Sequence, residues 1–206
     1  IVPAELETEA LVLFELRCGF PQEFDRRVYG DRAPEGWQRH HWPVLAGTLF
    51  AGCNLAIRVQ PMRLLGGFDD ALGPGTPSTS GDDNDIVYRM LVAGHRLAFE
   101  PSALMRHHHR RNLPALRRQL DSWGCGTVAF LTKSGRAGRR HRWQALLATG
   151  WLFVYQLRRL FATLRPGARR PFPPSLVLVE LAGCVRGLWA YRLSERYVRR
   201  VRAQER

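Results

Sequence analysis

Three aspartates and an asparagine occupy four successive positions, Asp82-Asp83-Asn84-Asp85, directly after Gly81. Carboxylates this close repel one another, which raises the proton affinity of at least one unless a cation compensates. The cluster therefore suits a general base or a divalent-metal site. Solvated acids capping a helix are the plainer use of the same residues.

The elements that must hold this cluster can be read on either side of it. Ile86, Val87, Met90 and Leu91 repeat at helical spacing, closed by Gly94, so the acids stand at a helix N-terminus. There the helix macrodipole stabilises negative charge. Upstream, Asp69 to Asp85 is a loop of glycines, prolines and small hydroxyls, and Leu97-Ala98-Phe99 reads as a short strand stopped by Glu100-Pro101. Pro3 is expected to open a first helix, with Leu6, Ala10, Leu13, Phe14 and Arg17 in register and Gly19 as its stop. Residues 20–44 read as a long loop. Gly47 to Arg58 reads as a buried strand in which Gly52 permits close backbone approach. A short helix follows from about Gln60 to Gly66-Gly67, with Phe68 folding back as an apolar anchor. Pro114 opens another helix carrying Leu116, Leu120 and Trp123 on one face, where Gly124 and Gly126 mark either weakness or close packing.

Composition narrows the class. The 206 residues are 45% hydrophobic and 10% aromatic, which excludes a disordered chain. No apolar run reaches the length of an ordinary membrane-spanning helix. The opening residues are acidic, without the basic start of a secretory signal. Four widely spaced cysteines with no CxxC pair imply free thiols and a reducing compartment.

Charge divides the chain. Residues 1–100 hold nine arginines against fourteen acids, whereas residues 101–206 hold 22 basic residues against four acids. Lys133 is the sole lysine. From Arg136 the pattern shifts to apolar stripes flanked by arginine: Trp143, Leu146, Leu147, Trp151, Val154 and Leu157, then Ser175 to Tyr191 followed by Arg192, Arg196, Arg199, Arg200 and Arg202. Helices lying in a membrane interface have this pattern. A basic helical pair packed on a partner has it too. We therefore divide the chain into a unit at 1–135 and a basic amphipathic helical tail at 136–206.

Five segments in order carry a family resemblance: GCNLAIR (52–58), LLGGFDDALG (64–73), GDDND (81–85), AGHRLAFEP (93–101) and SALMRHHHR (102–110). They resemble the C-terminal half of family 2 glycosyltransferases, whose α/β fold is the nucleotide-diphospho-sugar transferase fold called GT-A. Residues 3–20 and 116–133 also look like segments of bacterial members, so the resemblance covers about residues 3–133. It implies a partial GT-A-like α/β fold, the acceptor half, followed by amphipathic C-terminal helices.

The resemblance further implies an inverting transfer of sugar from a nucleotide-diphospho-sugar to an acceptor hydroxyl. The family's acidic pair falls on Asp82 and Asp83, with Asp83 as general base. Asp82 stands where the family usually has Glu, one methylene longer. His107 is implied as a ligand to a divalent metal, Mn²⁺ or Mg²⁺, or as a contact to the leaving diphosphate, with His109 two residues on; a solvated basic turn is the plainer use of the same run. Imidazole suits Mn²⁺ better than Mg²⁺, which prefers oxygen. Asn54, Asp85 and Trp123 are assigned to substrate binding; closing a loop is the plainer role for Asn54, and a core aromatic the plainer role for Trp123.

The family's nucleotide-binding half, with its DxD-type metal motif, has no counterpart here, and roughly 100 residues would be needed for one. The leading expectation is thus a fragment or truncated enzyme lacking the donor half, acting in cell-envelope polysaccharide synthesis. The expected location is cytoplasmic, peripheral at the inner face of the plasma membrane. The alternative is a non-enzymatic basic module binding an anionic membrane or a partner. Nucleic acid is not expected, since no recognised motif accompanies the arginines.

Overall fold

The computed structural model describes residues 1–18, 25–30, 32–34, 41–164 and 172–205. Strand β1 (Val2–Pro3) leads to α1 (Glu9–Cys18) and β2 (Arg27–Tyr29). Two 3₁₀ turns, Ala46–Leu49 and Gly52–Asn54, precede α2 (Val59–Leu64) and α3 (Asp82–Val92). Then come β3 (Leu97–Phe99), β4 (Arg106–His107), α4 (Leu113–Ser134), α5 (Arg139–Leu164) and α6 (Pro174–Gln204). The chain is mixed α/β and mostly helical.

The strands form two small sheets. β1 runs parallel to β4, with Val2 opposite Arg106 and Pro3 opposite His107. β2 runs antiparallel to β3, with Tyr29 opposite Leu97. Pro3 lies in β1, and the helix opens only at Glu9. The Val2 amide donates to the Met105 carbonyl and the Ala4 amide to the His107 carbonyl, both at 3.0 Å, bonds to a distant segment that a helix would forgo. Tyr29 and its neighbours form a strand inside what reads as loop, because three residues carry too little period to announce one. Gly19 and residues 20–24, 31 and 35–40 of that loop lie outside the described residues.

Long-range packing centres on α4, which is ordered at its start by Asn112. The Asn112 side chain accepts from the Ala115 amide at 2.9 Å, and Pro114 sits in the first turn. One core joins α3, α4 and α6 through Tyr88, Ala129, Phe130, Ala190 and Tyr191. A second joins α1, α4 and α6 through Leu13, Phe14, Leu116, Leu120 and Leu176. Between α4 and α6 the backbones nearly touch. A Cβ placed on Gly183 would lie 2.1 Å from the Asp121 carbonyl oxygen, and one on Gly124 would lie 2.2 Å from that of Glu180. Gly124 therefore marks close packing. Gly183→Val is expected to force the two helices apart and lower stability by about 2–3 kcal/mol or more. A urea unfolding midpoint unchanged from wild type would refute this seam.

Glu180 of α6 is buried in the same region. Arg17 of α1 donates to it from Nε at 3.0 Å and from its terminal nitrogen, and Arg159 of α5 donates at 2.9 Å. Burial by itself would raise the Glu180 carboxyl, but the two guanidinium groups win and hold it below its ordinary value of 4.5. A carboxyl depressed in the folded state stabilises the protein above its unfolded value, and that contribution is lost as pH falls through the folded one. Thermal stability is thus expected to decline on acidification below about pH 4.5, and Glu180→Gln should flatten that decline.

Candidate active site

The acidic run is placed by Gly81, which precedes α3 at φ 103°, a left-handed conformation open to glycine. A Cβ there would also lie 2.5 Å from the Gly126 carbonyl oxygen of α4. The helix start is thereby pressed onto α4. The segment from Gly47 to Arg58, which reads as a strand, instead makes the two 3₁₀ turns and wraps the same helix start. It has no partner strand among the described residues. Its turns bring Gly47 against Asn84 and Gly52 against Asp83, where Cβ atoms would stand 1.9 and 3.1 Å from the respective side-chain oxygens.

Asp83 is held from both sides. Its Oδ2 accepts from the Gly52 amide at 3.3 Å and its Oδ1 from the Asn84 amide at 2.8 Å. Burial raises its carboxyl above the usual 3.8, and the adjacent Asp82 charge adds to that against the amide hydrogen bonds. An oriented carboxylate with raised proton affinity is what a general base requires. Asp82, Asp83 and Asn84 line an open cleft of about 810 Å³, together with His107, Trp123 and residues of α4 and α6.

Asp85 does something else. It is 1% exposed, its Oδ1 lies 2.6 Å from Lys133 Nζ, and its Oδ2 accepts from Arg89 Nε at 2.7 Å. Lys133 also reaches Asp69 at 2.8 Å, and Asp69 accepts from the Tyr191 hydroxyl at 2.9 Å. Arg89 further donates to the carbonyls of Leu65 and Gly67. Burial works to raise the Asp69 carboxyl, but Lys133, the Ala71 amide and Tyr191 together hold it low. This ion-pair net ties α3 to α4, α6 and the 65–70 loop, and Asp85 does not line the cleft.

Asn54 is likewise outside the cleft. It is exposed, and its Nδ2 donates to the Ala103 carbonyl at 2.8 Å, joining two loops. Trp123 lines the cleft and also packs edge-on against Phe14, with ring centroids 5.5 Å apart. His107 lines the cleft from β4, its Nδ1 3.0 Å from that of His109. Alternation along an extended chain explains this pairing: His107 and His109 share a face, while His108 points to solvent. His109 is buried, stacked on Phe14 at 3.7 Å, and pushed down to about 4 by burial and then by His107, which keeps it neutral near pH 7.

The structure thus gathers Asp82, Asp83, His107 and Trp123 on one cleft, and sets Asn54 and Asp85 elsewhere. It adds Gln119 and Thr127, one helical turn to either side of Trp123 on α4. The Gln119 Oε1 is buried with no hydrogen-bond partner among the described residues. Helical spacing from Trp123 was the signal that could have found both. Cleft-facing Arg17 and Glu180 had no local signal, since their pairing spans 163 positions.

The metal implied by the resemblance finds no complete shell in these residues. Among the described residues, no three His, Cys, Asp or Glu side chains converge to hold a metal ion.

Comparison with known proteins gives the class. The profile of glycosyl transferase family group 2 matches residues 36–193, and the chain belongs to that family. It is similar to the pre-mycofactocin glycosyltransferase of Mycobacterium tuberculosis, strains CDC 1551 / Oshkosh and ATCC 25618 / H37Rv, with 39% identity over 59 residues in each. Those residues are 29% of this chain and 11% of either relative. No solved structure matches.

Proposed function

We propose that this chain is the acceptor-and-base half of an inverting, GT-A-type glycosyltransferase, and that a donor-binding half is supplied by polypeptide outside it. The observation that carries this reading is Asp83, fixed by two backbone amides on a cleft, with its carboxyl raised by burial. In the proposed step, Asp83 takes the proton of an acceptor hydroxyl. The hydroxyl oxygen forms a bond to the anomeric carbon of a nucleotide-diphospho-sugar from the face opposite the leaving group. The bond from that carbon to the diphosphate breaks, and its electron pair leaves on the diphosphate oxygen, which inverts the anomeric centre.

Asp82 stands beside the base and orients the acceptor. Trp123 offers an aromatic face to a sugar ring, with the Gln119 carbonyl oxygen and the Thr127 hydroxyl as polar neighbours on the same helix stripe. His107 contacts the diphosphate side. If a divalent metal serves there, ligands beyond the described residues complete its shell.

The test is transfer itself, measured in the polypeptide that joins this chain to a nucleotide-binding half. Nucleoside diphosphate should appear together with glycosylated acceptor, and the product should show the anomeric configuration opposite to the donor's. Retained configuration, or diphosphate release without any glycosylated product across hydroxyl acceptors, would sink the reading.

A further inference from the structure

Among the described residues no helix is long and apolar enough to cross a membrane. Even so, the outer faces of α5 and α6 turn large apolar side chains to solvent: Trp143, Leu147 and Phe161 on α5, and Leu178, Val185 and Trp189 on α6. On each helix these residues recur at spacings of 4, 7 or 14, one exposed apolar stripe per helix, and exposed apolar stripes of this kind mark an interaction site. At 31 residues, α6 spans about 46 Å, so the surface is long as well as apolar.

Tertiary packing adds what the sequence pattern lacks. The two helices run antiparallel, since Arg159 meets Glu180 while Ala148 and Ala190 share a core, as do Trp151 and Val198. Arg139, Arg140 and Arg142 at the start of α5 are thereby brought to the same end as Arg192, Arg196, Arg199 and Arg200 near the end of α6. None of these seven arginines makes an ion pair among the described residues, and all are exposed. α5 carries no acid. The two acids of α6, Glu180 and Glu195, are already engaged by Arg17, Arg159 and Arg136.

Charge and polarity together select the occupant. A second copy of this face would set arginine against arginine. A nucleic acid would meet the arginines but leave the leucine, tryptophan and phenylalanine surface in water. An anionic lipid surface satisfies both, with apolar side chains in the acyl boundary, arginines on phosphates, and tryptophans at headgroup depth. We propose that the antiparallel α5–α6 pair docks this chain in the plane of an anionic lipid surface, through its outer apolar faces and its clustered arginine end. The proposal goes beyond the transfer reading and stands apart from it, because docking needs neither sugar donor nor acceptor.

The test uses the full chain with extruded phosphatidylcholine vesicles, with and without about 30% phosphatidylglycerol. Sedimentation should show binding to the anionic vesicles at least about tenfold tighter than to neutral ones. It should weaken as NaCl rises from about 0.1 M to about 1 M, where screening shortens to a few ångströms. Arg196→Gln and Arg199→Gln should each reduce partitioning about fivefold. Trp143→Ser should reduce both partitioning and the fluorescence quenching produced by brominated lipid. These sites are exposed, so the variants should retain the wild-type circular dichroism. Equal affinity for both vesicle types, or no affinity for either, would overturn the proposal. So would a dimer by light scattering that Trp143→Ser dissociates, or arginine variants that lose duplex DNA while keeping the vesicles.

Discussion

Asp83→Asn, introduced into the polypeptide that carries both halves of the site, should lower the rate of transfer by about 10²–10⁴-fold and leave donor affinity within about twofold. The reason is local. Asparagine keeps the shape of the side chain and one oxygen, which retains the shorter bond from the Asn84 amide; its NH2 replaces the oxygen that accepts from Gly52 at 3.3 Å, so only the weaker of the two bonds is lost. The larger loss is the ability to take a proton. Because burial raises the Asp83 carboxyl, the acid limb of kcat/KM should lie above the ordinary aspartate value of 3.8, and activity should fall as pH drops through it. That limb should vanish in the asparagine variant.

Stability should change little. A carboxyl that binds its proton more tightly when folded destabilises the folded state at neutral pH, so removing its charge offsets the loss of the Gly52 bond and the melting temperature should stay near that of wild type. A loss of activity accompanied by a falling melting temperature would assign Asp83 to structure. Wild-type turnover in this variant would remove it from catalysis altogether.

Asp85→Ala, two positions along the same helix turn, should do the reverse. Removing the 1%-exposed carboxylate takes one acceptor from Lys133 and one from Arg89, and leaves their charges in a partly buried setting. Breaking a buried pair by deleting one partner costs about 3–5 kcal/mol. In a chain of this size that corresponds to a melting temperature lower by roughly 10 °C. Lys133 retains Asp69 and Arg89 retains two carbonyls, so the loss should fall within that range rather than abolish folding. Asp85→Asn, which keeps an oxygen for one of the two cations, should fall between wild type and alanine. Thermal unfolding followed by circular dichroism decides this. An Asp85→Ala midpoint equal to wild type would show that the net does not hold α3.

The pair also shows how far the sequence can be read. GDDND says that acids stand at a helix start, and the period of Ile86, Val87, Met90 and Leu91 is strong enough to locate that helix. It does not say which acid faces which way. Asp83 and Asp85 are separated by about 200° around a helix of 3.6 residues per turn. Only the surroundings reveal that one side is a cleft and the other is Lys133 and Arg89. Asn54 illustrates the same limit, since its partner at Ala103 is 49 positions away. The segment from Gly47 to Arg58 departs from its strand reading for a related reason: an apolar run with glycines has the composition of a buried strand, but a strand also needs a neighbour to pair with.

The family, the helix that carries the acids and the helix of Trp123 are legible in the residues alone. Each is written in local spacing or in an ordered series of motifs, and local spacing survives in one dimension. That Asp83 faces a cleft while Asp85 closes an ion-pair net is settled by three-dimensional packing. The same packing brought His107 and Trp123 to that cleft and drew the arginines of two helices to one end. Those outcomes depend on contacts between distant residues, fixed by close helix packing at Gly124 and Gly183 and by a glycine-lined fit around the start of α3.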